Sequence, residues 1–305
     1  MSNLLNELTT EQANERTREI DRLPTEDIVK LINQEDRLIA EALRQLTPQI
    51  AAAADLIIQS FRSGGRLLYV GAGTSGRLGI LDASECPPTF GTDPSLVVGI
   101  IAGGSAAIQT AVEGAEDNVE LGASDMDEHG VGPHDTVVGI AASGRTPYVL
   151  GAMKRAKALG ASVVGLCNNH HTPMVDIADL MIEAVVGPEV ILGSTRLKAG
   201  TAQKLVLNTL TTTAMIRIGK VYGNLMVDLQ PSNEKLVYRA KRIIGMATQA
   251  TQDKIDEAYR LSGGHVKTAI VMILAGVDKD GAAALLEQSG GFVRGAVQPT
   301  AGRGE

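Results

Sequence analysis

The chain has no tryptophan, three phenylalanines and five tyrosines among 305 residues. So few rings argue against a protein that holds nucleic acid by stacking its bases. A formal net charge of −7 closes the other route, a basic surface that neutralises phosphates. Any anion the protein binds must therefore be met by local donors. The two cysteines, Cys86 and Cys167, are far apart, so neither a CxxC metal knuckle nor a disulfide framework is present. His129, His134, His170, His171 and His265 show no metal-ligand spacing, and no metal site is expected. No run of 18 apolar residues offers a membrane span. The opening stretch, MSNLLNELTTEQANERTREIDRL, carries charges where a signal peptide needs an apolar run. A soluble, cytoplasmic protein is expected.

What is present suits a glycine-rich α/β enzyme. Hydrophobic residues make up 44% and there are 34 glycines, enough apolar material for a sizeable core. The length suggests two domains, or one large domain with an appendage. Pro24-Thr25-Glu26-Asp27 opens a helix with acids at its positive end. Ile28, Leu31, Ile32, Leu38, Ile39, Leu43 and Leu46 then recur at helical spacing. A second helix follows Pro48 and ends at Ser63-Gly64-Gly65. From Arg66 the pattern changes to short apolar runs separated by glycine turns and helical segments. Leu67–Val70, Leu96–Ile101, Thr136–Ile140, Val163–Leu166 and Leu180–Val186 read as buried strands, with a helix over Pro147–Leu159. This alternation predicts a mainly parallel five-stranded sheet flanked by helices. A long helix is predicted from about Thr195 to Tyr222, capped by Ser194, with Gly223-Asn224 at its end and a break at Pro231-Ser232. Glu234–Ala250, Asp253–Leu261, Val266–Ala275 and Asp280–Glu287 read as short helices, and Pro299–Glu305 as a frayed tail. The expected division is an N-terminal helical segment (1–50), a sheet domain (51–232) and a small C-terminal helical domain (233–305).

Two loops after strands carry chemistry. Gly71-Ala72-Gly73-Thr74-Ser75-Gly76 matches GxGxxG, yet the second strand ends Ile101-Ala102-Gly103-Gly104, without the acid that a dinucleotide ribose requires. There is no GxxxxGK[ST] either. Instead Gly73, Thr74 and Ser75 place two hydroxyls at a helix N-terminus, a setting for a phosphate monoester. Ser143-Gly144-Arg145-Thr146 repeats the arrangement after a later strand, and Gly193-Ser194-Thr195 offers a third hydroxyl loop. Each could be an ordinary cap by itself. Loops that converge at the carboxyl ends of strands in one sheet point to a ligand.

At these residues the chain resembles the sugar isomerase (SIS) domain, a sugar-phosphate-binding α/β fold. The resemblance narrows with VGAGTSGRLGILDASECPPTF (70–90), GSTRLKAGTAQKLVLN (193–208) and NLMVDLQPSNEKL (224–236), which resemble the N-acetylmuramic acid 6-phosphate etherase family over essentially the whole chain. Leu192 departs from the pattern, standing where a hydroxyl residue is expected. The glucokinase regulatory protein, a sugar-phosphate sensor, is similar as well. The resemblance implies a lyase that cleaves the C3 lactyl ether of a sugar 6-phosphate, and a homodimer with sites near the subunit interface. It implies no metal or redox cofactor.

By the same resemblance the family's two glutamates map to Glu85, as the acid that protonates lactate, and Glu116, as the base at C2. Glu85 lies in Ala83-Ser84-Glu85-Cys86-Pro87-Pro88, where the helix is expected to stop before the prolines. Glu116 falls on a stretch expected to be helical, and the local sequence gives it no preference over Glu113. Cys86 is expected to be a small core residue, and His170-His171 to lie in a loop. Lys235 and Arg239 either line a solvated helix face or reach a partner's sugar phosphate.

Overall fold

The computed structural model describes residues 8–110, 112–229 and 233–298. The expected break at Pro231-Ser232 and the tail from Pro299 lie outside the described residues. These residues form two compact units, 8–84 with 95–211, and 85–94 with 212–298.

The first unit is built on the predicted sheet. Strands β1 (Leu67–Gly71), β2 (Val97–Ile101), β3 (Thr136–Ala141), β4 (Ser162–Cys167) and β5 (Leu180–Glu183) run parallel in the order β2-β1-β3-β4-β5. Every residue of β1 and of β3 is buried. That explains why they appear as unbroken apolar runs: a parallel strand covered on both faces has no polar side to alternate. Helices α1 (Thr25–Arg44), α2 (Thr47–Arg62), α3 (Gly73–Phe90), α4 (Ala106–Gln109), α5 (Val119–Glu128), α6 (Pro147–Ala158) and α7 (Lys198–Arg217) complete the layers, with α3 and α7 crossing the unit boundaries. One core cluster packs Leu68, Val70, Val137 and Val163 of the sheet against Tyr148, Val149 and Met153 of α6.

Three local expectations are corrected. Helix α3 does not stop before its prolines: Pro87 and Pro88 sit inside its last turn. They lack the N–H groups that would return to Ala83 and Ser84, and the Gly91 N–H closes the turn on the Pro87 carbonyl. Helix α7 starts at Lys198, not Thr195, and ends at Arg217. Its cap is not Ser194. The Glu189 carboxylate accepts the N–H groups of Lys198 and Ala199, both at 2.9 Å. An acid at a helix N-terminus meets both the unpaired donors and the positive end of the dipole. Tyr222 belongs to a short hairpin, β6 (Val221–Tyr222) paired with β7 (Leu225–Met226), and Gly223-Asn224 is its turn.

The second unit holds the C-terminal helices α8 (Glu234–Thr248), α9 (Gln252–Leu261), α10 (Val266–Ala275), α11 (Lys279–Gln288) and α12 (Val293–Val297). They pack around Ile244, Ala269, Ile270 and Val271, all buried. Cys86 is buried, as expected. No helix among the described residues is long and apolar enough to cross a membrane.

Candidate active site

A hollow of about 430 Å³ opens at the carboxyl ends of β1 and β3 and collects most of the residues singled out from the sequence. The β1 loop supplies Gly73, Thr74 and Ser75. These are the first residues of α3, so their N–H groups have no partner one turn earlier and face out of the helix end. Ser75 differs from Thr74. Its hydroxyl donates to Gln203 Oε1 at 2.8 Å, Gln203 donates to Asn168 Oδ1 at 2.9 Å, and Asn168 donates to the Ala184 carbonyl at 2.7 Å. The Ser75 proton is thus committed to a buried chain, and Thr74 is the hydroxyl donor of this loop.

The β3 loop supplies Ser143, Arg145 and Thr146. Gly144 holds the turn with φ +66° and its N–H on the Ala141 carbonyl, and a Cβ there would overlap Thr172. It shapes the loop without lining the hollow. Ser143 Oγ accepts the Arg145 N–H at 3.2 Å, which leaves its own hydrogen to donate. Thr146 precedes α6 but makes no side-chain cap hydrogen bond. Arg145 Nε is buried and has no hydrogen-bond partner among the described residues.

Glu116 lines this hollow, but not from a helix. It lies in a turn between α4 and α5, because Asn118 caps α5 by accepting the Leu121 N–H at 2.9 Å and so delays the helix start to Val119. The Glu116 carbonyl accepts the Tyr148 N–H at 3.0 Å, which ties the turn to the first residues of α6. Tyr148 is itself locked: it is fully buried and its hydroxyl donates to Asp125. Burial, with the Asp125 carboxylate beside it, pushes the phenol well above its ordinary range, so it remains a donor. A second hollow of about 340 Å³ shares Ala72, Gly73, Glu116 and Asp117 with the first and adds Arg77 and Glu113. Glu116 is common to both, whereas Glu113 lines only the second.

The third loop contributes Gly193 and Thr195 to the hollow but not Ser194. Its positive helix end is already taken by Glu189, whose carboxyl is pushed up by burial against the lowering effect of the Ala199 and Lys198 N–H groups. Glu85 does not line either hollow. It is exposed on α3, in the second unit. Lys235 and Arg239 are exposed on α8. His170 does lie in a loop, its Nδ1 2.7 Å from Glu183 on β5.

Sequence reasoning missed the N-terminal arm. Thr10 and Glu11 line the hollow. Thr10 is buried, its N–H donates to Asn169 Oδ1 at 3.3 Å, and Asn169 Nδ2 donates back to Thr10 Oγ1 at 3.0 Å and to the Ala142 carbonyl at 2.9 Å. Nothing in the local sequence signals this pairing across 159 positions.

Hydroxyl-bearing loops at two helix N-termini, one guanidinium and several carboxylates make a site for an anionic polyhydroxyl compound with acid–base chemistry beside it. Among the described residues no group of three or more His, Cys, Asp or Glu is placed to hold a metal ion.

Residues 49–157 match the glucokinase regulatory protein N-terminal SIS domain, and residues 117–213 the SIS domain. A phosphoheptose isomerase from Francisella tularensis shares the fold, with a TM-score of 0.51 at 21% identity over 63% of this chain and 97% of that one. The N-acetylmuramic acid 6-phosphate etherase of Aliivibrio fischeri (strain MJ11) is 57% identical, over 96% of this chain and 98% of that protein. That of Photorhabdus laumondii subsp. laumondii is 56% identical, over 95% and 96% respectively. At that identity over nearly the whole of both chains, this protein belongs to the N-acetylmuramic acid 6-phosphate etherase family.

Proposed function

We propose that the protein cleaves the C3 lactyl ether of N-acetylmuramic acid 6-phosphate, giving N-acetylglucosamine 6-phosphate and D-lactate. The observation that carries this reading is the convergence of the two hydroxyl loops with Glu116 in one hollow, in a chain of that family. An alkyl ether resists direct displacement. Ring opening places an aldehyde at C1 and makes the C2 proton acidic. Glu116 takes that proton, the C3–O bond breaks, and the lactate oxygen receives a proton from Glu85. Water then adds across the new C2–C3 double bond, hydroxyl at C3 and hydrogen at C2. Phosphate is held by the N–H groups at the start of α3 and the hydroxyls of Thr74, Ser143 and Thr146.

The reading assigns Glu85 to a second copy of the chain. It lies twelve positions along α3 from Gly73, about 18 Å of helix rise. In this reading Glu85 serves the hollow of a partner subunit in a homodimer, which its exposure on α3 and its absence from both hollows of its own chain support. The setting is the cytoplasm and the recycling of cell-wall amino sugars.

The test is lactate release from N-acetylmuramic acid 6-phosphate in ¹⁸O-enriched water, with and without EDTA. Lactate with the label at C3 of the amino sugar supports elimination and hydration. Label in lactate means attack on the lactyl carbon and refutes the scheme. Saturable binding without lactate means a sensor, and a ketose product with the lactyl group retained means an isomerase.

A further inference from the structure

The reading above requires the site to hold two anions, the 6-phosphate and the carboxylate of the lactyl arm. We propose that Arg145 is the carboxylate subsite, and that phosphate is left to the loop N–H groups and hydroxyls. The inference rests on the etherase reading and adds the residue that tells substrate from product.

Four observations support it. Arg145 is the only cationic side chain among the described residues lining the first hollow. Its Nε is buried with no hydrogen-bond partner among the described residues, a costly state for a donor on a charged group unless a ligand meets it. The phosphate does not need it. The N-terminus of α3, with the hydroxyls of Thr74, Ser143 and Thr146, already presents N–H and O–H donors of the kind that hold phosphate. Finally, Glu11, Glu116 and Asp117 also line the hollow. Their negative charges oppose entry of a second anion, and one guanidinium offsets that repulsion. A guanidinium fork also matches a planar carboxylate with two parallel hydrogen bonds. Arg77, in the adjoining hollow, is the competing cation, but its Nε already donates to the Ile108 carbonyl at 2.9 Å.

The consequence is selectivity. N-acetylglucosamine 6-phosphate keeps the phosphate and lacks the carboxylate, so product leaves a site that substrate fills. The test compares three ligands: N-acetylmuramic acid 6-phosphate, N-acetylglucosamine 6-phosphate, and the 3-O-ethyl ether of the latter, which has no carboxylate. Wild type is expected to prefer the lactyl ligand. In Arg145→Gln, its kcat/KM and its affinity should fall about 100-fold, as for a site robbed of its charged partner. The inhibition constant of N-acetylglucosamine 6-phosphate and kcat/KM for the ethyl ether should move less than about threefold. Arg145→Lys, with a charge but no fork, should recover part of the loss, and Arg77→Gln should keep the wild-type ratio. Equal losses for all three ligands would assign Arg145 to phosphate and overturn the proposal. So would loss of selectivity in Arg77→Gln instead, or a wild type that binds the ethyl ether as well as the acid. Tight, Arg145-dependent binding of the lactyl ligand without lactate release would keep this subsite while refuting the etherase reading.

Discussion

Lys198 Nζ stands 2.8 Å from Glu35 Oε2, and the two side chains are only 1% and 2% exposed. Glu35 comes from α1 and Lys198 is the first residue of α7. Asn14 donates to the same carboxylate at 2.9 Å and Arg16 approaches it at 3.1 Å. One buried carboxylate thus joins the N-terminal arm, α1 and the start of α7. The arm also carries Thr10 and Glu11 into the hollow, so the pair supports the site as well as the fold. Lys198→Met removes the buried cation and leaves Glu35 only the half-exposed Arg16 and the Asn14 amide, so it is expected to cost about 1–3 kcal/mol in urea denaturation. Replacing both, Glu35→Gln with Lys198→Met, should cost less than the sum of the single changes. A single-variant loss below about 1 kcal/mol would show that the pair is not the anchor.

Acid titration should separate two buried glutamates by sign. Burial pushes Glu35 up, but the Lys198 and Asn14 hydrogen bonds and the charges of Lys198 and Arg16 outweigh it and hold the carboxyl below 4.5. Its folded value lies below its unfolded one, so it stabilises the fold above about pH 4.5 and that support is lost as pH falls through the folded value. Glu189 is pushed up from 4.5 by burial, so its contribution is present at acid pH and is lost as pH rises through the raised value. In urea melts at a series of pH values, Glu35→Gln should flatten the acid-side loss of stability. Glu189→Gln should remove part of the loss on the rising side. Identical slopes in both variants would contradict the assignment.

Helices α5 and α6 meet backbone to backbone at Gly122, where a Cβ would overlap the Tyr148 carbonyl, and at Gly151, where it would overlap the Val119 carbonyl. The Tyr148 N–H holds the Glu116 carbonyl. Gly122→Ala should therefore act twice. Overpacking is expected to lower stability by about 1–3 kcal/mol, and displacement of α6 should lower kcat for lactate release by moving Glu116. Thermal melting and steady-state kinetics read the two effects separately. A variant with unchanged kcat and lowered stability would uncouple the helix contact from the site.

What could be read from the sequence follows from how far each interaction reaches. Strands β1, β3 and β4 were legible because runs such as Leu67–Val70 or Val163–Leu166, buried on both faces, must be apolar throughout, whereas the half-buried β5 ends at Glu183, short of the predicted Val186. The β1 and β3 loops were legible because hydroxyls and glycine after a strand are a local pattern. The start of α7 was not, since Ser194 looks like a cap while the real one, Glu189, reaches back from nine residues before Lys198. Glu116 was placed on a helix although Asn118, a cap residue three before Leu121, marks the boundary in the sequence itself. The apolar spacing of α1 was clear, yet only Glu35 and Ile39 of that helix are buried, and Ile32 and Leu38 are exposed. Thr10 and Glu11 had no signal at all, because their place depends on Asn169.

The proposed division of labour between Glu85 and Glu116 predicts more than the loss of activity in single variants. Each of Glu85→Gln and Glu116→Gln should lower lactate release about 10²–10⁴-fold with the fold retained, and Glu113→Gln should do far less, since Glu113 lines only the adjoining hollow. If each hollow takes Glu116 from its own chain and Glu85 from a partner, the two inactive variants should complement one another. A mixed dimer of Glu85→Gln and Glu116→Gln subunits contains one hollow with both carboxylates and one with neither. Random exchange of equal amounts makes half the dimers mixed, and half of their sites intact. About a quarter of wild-type activity should then return on mixing after gentle dissociation. No recovery, with subunit exchange verified by a mass-tagged chain, would mean that both carboxylates act within one chain or that Glu85 is not the acid.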